Sequence, residues 1–234
     1  MHHVVVERWS RGRSWLHARD ARAKVVAALA LILAIATTPQ HHYHGAFGYA
    51  AFAIGLTLAA RLPLFEMAAR AAVVLPFSAA FAIASFLAGD ASRAAALLWK
   101  SYLSAFTVLL LVAATPLVDL LRALEWFRVP GLVILISQFL YRYLFVISEQ
   151  AQHMRLAAQC RSGQRGTLAF RGAASALSVL FVRSYARADG IQRAMLARGF
   201  RGHFPALSIV GFGRADALFC ALSVAACAAV RIAA

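Results

Sequence analysis

The sequence predicts an all-α, polytopic membrane protein with about five transmembrane helices and a cytoplasmic set of three further helices. Of its 234 residues, 62% are hydrophobic and only 14% are charged, whereas soluble domains average about 45–50% apolar and about 25% charged residues. This much apolar surface cannot be hidden inside one small globule, so a lipid bilayer is the expected solvent. The 24 lysines and arginines, which give a net charge of +15, lie between long apolar runs. That arrangement is typical of the positive-inside bias of membrane proteins and argues against nucleic acid as a partner.

Five apolar segments come close to the about 20 residues that cross a bilayer as a helix. Their ranges are 25–38, 45–60, 68–88, 102–115 and 215–232. Pro39 and Pro116 end the first and the fourth segment, and Pro76 inside the third predicts a kink, because proline cannot donate a backbone hydrogen bond. The segments predict a four-span bundle over residues 1–118, a region of further helices over residues 119–202 and a C-terminal transmembrane helix over residues 203–234.

The distribution of lysine and arginine orients these spans. Residues 1–24 hold six of them and residues 119–201 hold twelve, whereas the loop 39–44 holds none. Because cytoplasmic loops carry the excess of basic residues, the N-terminus and residues 119–202 are predicted on the cytoplasmic side of the inner cell membrane, with the C-terminus outside. The turn 89–100, which contains Arg93 and Lys100, is the exception to this distribution.

Residues 119–202 are predicted to form three helices, over 119–126, 133–160 and 168–198. Polar residues of the second helix recur along one face with a 3.6-residue period, and Asp189 and Arg193 in the third form a favourable i,i+4 pair. Such amphipathic helices are expected to lie along the membrane base or to pack against each other and the spans. In an alternative with seven spans, segments 131–150 and 170–186 cross the bilayer and bury Arg142 and Arg183, at about 2.5–3.5 kcal/mol each near the midplane.

The sequence contains none of the motifs that would supply chemistry or energy. It has no Gly-x-x-x-x-Gly-Lys phosphate loop, no His-Glu-x-x-His zinc site and no Gly-x-Ser-x-Gly elbow. We therefore predict that the chain is not an enzyme, has no catalytic residue and holds no metal. His41, His42 and His44 could bind a divalent ion, but no carboxylate or cysteine stands near them. A polar external loop is the preferred interpretation.

Two arginines stand at the C-terminal ends of the two long amphipathic helices. They occupy the centres of the triplets Cys160-Arg161-Ser162 and Ala197-Arg198-Gly199. An arginine at this position can simply offset the helix dipole, or its planar guanidinium can pair bidentately with a carboxylate of a partner. The small residues that flank both arginines would let a partner's backbone approach, which favours the docking interpretation. Gly199 is also well placed as a C-terminal helix cap.

Several stretches resemble a known family, the transmembrane T-component of energy-coupling-factor importers, in particular the cobalt-importer Q subunit of the CbiQ type. They are residues 18–24, 115–130, 141–146 and 180–200. Ala21 stands where that family usually has proline. Ala197-Arg198-Gly199 matches the second of the family's two Ala-Arg-Gly-like triplets, and Cys160-Arg161-Ser162 keeps only the arginine of the first.

The resemblance implies a non-catalytic coupling subunit. Two ATP-binding subunits would hold ATP and magnesium and receive Arg161 and Arg198 in their grooves, a metal-binding membrane subunit would capture the cargo, and this chain would bind no cofactor. Cobalt is the expected cargo; nickel or a vitamin such as biotin is the alternative, because a T-component need not contact the cargo. An integral-membrane lipid enzyme or an independent channel would need polar or ionisable groups inside the spans, and the five segments contain almost none.

Overall fold

The computed structural model describes residues 9–10, 12, 14–39, 43–161, 167–202 and 213–233. Every regular element within these ranges is a helix, which confirms the predicted all-α class. The α-helices are α1 (Ala21–Thr37), α2 (Tyr43–Ala59), α3 (Leu64–Ala71), α4 (Leu75–Leu87), α5 (Ala91–Ala114), α6 (Leu117–Trp126), α7 (Gly131–Arg161), α8 (Thr167–Ala197) and α9 (Arg214–Ala233). They fall into two compact units, one containing α1–α6 and α9 and the other containing α7 and α8.

Four helical stretches in the described part of the chain are long and apolar enough to cross a membrane. They are Leu64–Leu87, Ala91–Ala114, Gly131–Cys160 and Arg214–Ile232, and Gly45–Ala59 is a shorter apolar helix. Helix α1 has 17 residues, which rise about 25 Å and so fall short of the about 30 Å hydrocarbon core. Helix α7 thus has the length and apolar composition that the seven-span alternative requires of segment 131–150.

The third predicted span is interrupted where proline was expected to disturb it. A 3-10 turn over Ala72–Val74 separates α3 from α4, and Pro76 lies at the start of α4. Proline has no N–H to donate to the carbonyl of Ala72, and the N–H of Leu75 donates to that carbonyl instead. The helix is therefore interrupted by a tightened turn that ends two residues before Pro76, and a kink at the proline itself stays a prediction.

Small residues allow the helices of the first unit to approach closely. Its core contains many alanines: Ala23, Ala27, Ala53, Ala60, Ala71, Ala113 and Ala114. Gly48 of α2 marks one close approach, because a Cβ atom there would lie 2.7 Å from Cγ1 of Val230 in α9. Helix α6, which the sequence analysis placed in the 119–202 region, packs against α1 within this unit. The cytoplasmic position of residues 119–202 remains a prediction.

The second unit consists of two long helices that pack against each other. Helices α7 and α8 have 31 residues each, about 46 Å at 1.5 Å per residue, and they coincide with the predicted helices 133–160 and 168–198. The predicted pair in α8 is formed, with Arg193 Nη2 2.6 Å from Asp189 Oδ2.

Candidate functional site

Helix α8 is capped by Gly199, and the arginine that precedes this glycine is exposed. The N–H of Gly199 donates to the carbonyl of Leu196 and that of Phe200 to the carbonyl of Met195, both at 3.0 Å. With Gly199 at φ +76°, this is the Schellman arrangement, in which the residue after the last turn adopts a left-handed conformation. The predicted cap at Gly199 is confirmed, and Ala197 and Arg198 lie exposed beside it.

The end of α7 matches the other predicted triplet in its backbone. The helix extends to Arg161, and the preceding Cys160 is an exposed free thiol. The side chain of Arg161 and the whole of Ser162 lie outside the described residues. Arg161 is therefore the last residue of α7, and Arg198 directly follows the last residue of α8.

Helix α8 exposes apolar side chains and cations together. Its large apolar residues with exposed fractions of 61–72% are Leu177, Phe181, Val182, Tyr185 and Leu196. Arg183 and Arg187 are exposed on the same helix. A helix with such a surface needs a lipid or protein neighbour to cover its apolar part.

A buried polar cluster that the sequence analysis did not predict joins α1 to α9; we call Arg19, Asp20, Lys24 and Asp216 the inner cluster. Asp20, Lys24 and Asp216 are only 6–8% exposed. Oδ1 of Asp216 accepts from the N–H of Asp20 at 3.2 Å and lies 3.8 Å from Nη1 of Arg19, and Oδ2 accepts from the N–H of Gly213 at 3.1 Å. The sequence does contain a signal for this cluster. Charged residues stand at the start of apolar helices, in a chain that has only nine acidic residues.

The side chain of Lys24 ties the inner cluster to the end of α5. Its Nζ donates to the carbonyl of Ala114, the last residue of α5, at 3.0 Å and to that of His17 at 3.1 Å. Asp20 caps the N-terminus of α1, because its side chain accepts from the N–H of Arg22 at 2.9 Å. The charged side chains at this end of the bundle thus form hydrogen bonds with backbone groups that have no partner within their own helix.

Two further cations hold the opposite end of α1; we call Lys100 and Arg231 the outer cluster. Nζ of Lys100 donates to the carbonyls of Thr38 at 2.6 Å and Ala36 at 3.3 Å. Nη2 of Arg231 donates to the carbonyl of Thr37 at 3.0 Å. Lys100, an exception to the predicted charge distribution, therefore lies within α5 and serves the end of another helix.

The two clusters also establish the relative directions of three helices. The start of α9 meets the start of α1 through Asp216, and its end meets the end of α1 through Arg231. The end of α5 meets the start of α1 through Lys24. Helices α1 and α9 are therefore parallel and α5 is antiparallel to both, which agrees with the alternation of the predicted spans.

No group of three or more His, Cys, Asp or Glu side chains that could hold a metal ion occurs among the described residues. Of the histidines singled out from the sequence, His41 and His42 lie outside the described residues, and so does the side chain of His44. The predicted loop at 39–44 is shorter than expected, because Tyr43 and His44 belong to α2. The external position of this loop stays a prediction.

Known proteins that are similar to this chain include one described as a cobalt transport protein. The family described as CbiQ, cobalt transport protein, matches residues 12–207. The cobalt transport protein CbiQ of Rhodobacter capsulatus is 30% identical over 118 residues, 50% of this chain and 48% of that protein. An uncharacterized protein of Methanocaldococcus jannaschii is 25% identical over 105 residues, 44% of this chain and 39% of that protein. The chain thus matches about half or less of the length of these relatives.

Proposed function

Because this chain belongs to the CbiQ cobalt transport protein family, we propose that it is the non-catalytic coupling subunit of an energy-coupling-factor importer for cobalt ions. It would join two ATP-binding subunits to a membrane subunit that captures the metal. Cobalt is proposed because the family and the Rhodobacter relative carry that description. ATP and magnesium would be held by the partner subunits.

The observation that carries this proposal is the pair of 31-residue helices, of which α7 ends at Arg161 and α8 ends one residue before Arg198. Arg198 is exposed beyond a glycine cap whose two hydrogen bonds hold the helix end in one conformation. A guanidinium in that position offers a planar fork to a carboxylate in a partner's groove. Arg161 would do the same at the end of α7.

The length and stiffness of these helices suit them to transmit movement. A displacement of the ATP-binding subunits on nucleotide binding would move the arginine tips, and a helix of about 46 Å would carry that displacement as a rigid rod. The exposed apolar residues of α8 would contact lipid or the metal-capturing subunit. This chain would therefore contribute mechanics, while its partners contribute hydrolysis and cargo recognition.

The test is co-purification of the ATP-binding subunits with the full chain from detergent-solubilised membranes. Arg161→Glu combined with Arg198→Glu is expected to weaken that association by tenfold or more, since truncating one partner of a buried charged pair costs about 2–5 kcal/mol. The matched control is Arg187→Glu, which reverses an exposed arginine about three turns earlier in α8. Association and cobalt uptake that are unchanged in the double variant would refute the proposal.

A further inference from the structure

The chain contains only two lysines. Each donates hydrogen bonds to carbonyl groups at the C-terminal end of the helix that carries the other lysine. Lys24 lies in the first turn of α1 and donates to the carbonyl of Ala114, the last residue of α5. Lys100 lies in α5 and donates to the carbonyls of Ala36 and Thr38 at the end of α1. Two antiparallel helices thus cap each other's C-termini through a side chain from the partner helix.

The chemistry of lysine suits this task. Carbonyl groups at a helix C-terminus lack intrahelical donors and carry the negative end of the helix dipole. An ammonium group is a compact charge with three donors on a flexible stem, so it can satisfy carbonyls that point in different directions. Lys24 does this while only 6% exposed.

The position of the Lys24 contact connects this pair to the next helix. Only Thr115 and Pro116 separate Ala114 from α6, and α6 packs against α1. A displacement of α6 therefore reaches the end of α5 and the start of α1 at the same point. At the opposite end of α1, the contact of Lys100 opposes sliding of α1 along α5.

We propose that Lys24 and Lys100 are positioning residues that lock α1 and α5 into one rigid body. The pair can tilt together, but neither helix can slide along the other without breaking a cation–carbonyl contact at one end. This inference rests on the proposed function in one respect only, which is that the rigid body would transmit a displacement of α6. Its mechanical content concerns this chain alone.

Hydrogen exchange measured by mass spectrometry on the full chain in detergent tests the lock. Lys24→Met is expected to speed exchange of the amides at 111–114 by about tenfold or more, the factor for losing one hydrogen bond from a charged donor. It is also expected to speed exchange at 34–38, the distant end of α1 that Lys100 caps. Lys100→Met is expected to act on the same two segments.

Arg231→Met is the matched control. It removes a cation from the same end of α1 but from α9, so it is expected to affect 34–38 and to leave 111–114 unchanged. Single lysine variants that speed exchange only beside the lost contact would overturn the proposal, because two independent caps behave in that way. Lys24→Arg and Lys100→Arg, which keep a donor at each site, are expected to retain most of the protection and guard against a fold lost in the methionine variants.

Transport separates this inference from the proposed function. In the assembled importer, Lys24→Met is expected to leave co-purification of the ATP-binding subunits unchanged and to lower cobalt uptake per ATP hydrolysed. Unchanged uptake per ATP would remove the positioning role. Failure of the wild-type chain to bind any ATP-binding subunit would refute the proposed function and leave the exchange result to decide on the lock.

Discussion

Replacing Gly199 by alanine should destabilise the end of α8, although the new methyl group contacts none of the residues that the structure describes. A Cβ at Gly199 meets no atom of the described residues within 4 Å, so the expected effect comes from the backbone, which has φ +76° there. A left-handed conformation costs a residue with a Cβ about 1–2 kcal/mol, which lowers the population of the capped end by about 5- to 30-fold. Hydrogen exchange of the amides at 197–200 reports this population directly.

The same substitution at Gly190, from glycine to alanine, is expected to have the opposite effect on stability. It lies inside α8, and a Cβ there also meets no atom within 4 Å in the described part of the chain. Because glycine in a helix interior is less stable than alanine by about 0.5–1 kcal/mol, Gly190→Ala should slow exchange in α8 while Gly199→Ala speeds it at the helix end. In the importer, only Gly199→Ala should weaken binding of the ATP-binding subunits. Equal effects of the two substitutions, or protection by Gly199→Ala, would refute the cap geometry.

Three further outcomes are expected. Gly48→Ala should destabilise the bundle by about 1–3 kcal/mol through overpacking, since its Cβ would lie 2.7 Å from Val230; thermal unfolding in detergent measures this, and a second substitution, Val230→Ala, should restore most of the loss. Asp216→Ala should cost about 1–3 kcal/mol or more in the same assay, because it leaves the buried N–H group of Asp20 and the half-buried N–H group of Gly213 without their acceptor, whereas Asp216→Asn should cost less. Cys160, which is exposed, should react with a membrane-impermeant maleimide only after cells are permeabilised; labelling in intact cells would contradict the predicted orientation.

The sequence predicts the existence and type of the helices well because those depend on local composition. The boundaries fail where a distant contact decides them. The fourth segment was expected at 102–115, yet α5 begins at Ala91, because Arg93 and Lys100 marked the region as a turn. The charge of Lys100 is accommodated by carbonyls 62 and 64 residues earlier in the chain, which no local pattern reveals.

The candidate site likewise has one part that the local sequence predicts and another part that it does not. Gly199 could be predicted as a helix cap since a Schellman turn is written in a few neighbouring residues, and the structure has it. The inner cluster could not be predicted, because Asp20 and Asp216 are joined across 196 positions. From the local sequence, charged residues such as these are expected at the surface, whereas the fold buries both of them.

The bonds between α1 and α9 have a consequence for how the protein is made. At about 5–20 residues per second of synthesis, the 196 positions that separate Asp20 from its acceptor correspond to about 10–40 s. During that interval α1 has already been synthesised, whereas Asp216 and Arg231 have not. Its end groups must meanwhile be satisfied by water, lipid headgroups or the insertion machinery, so the bundle closes only when its final helix arrives.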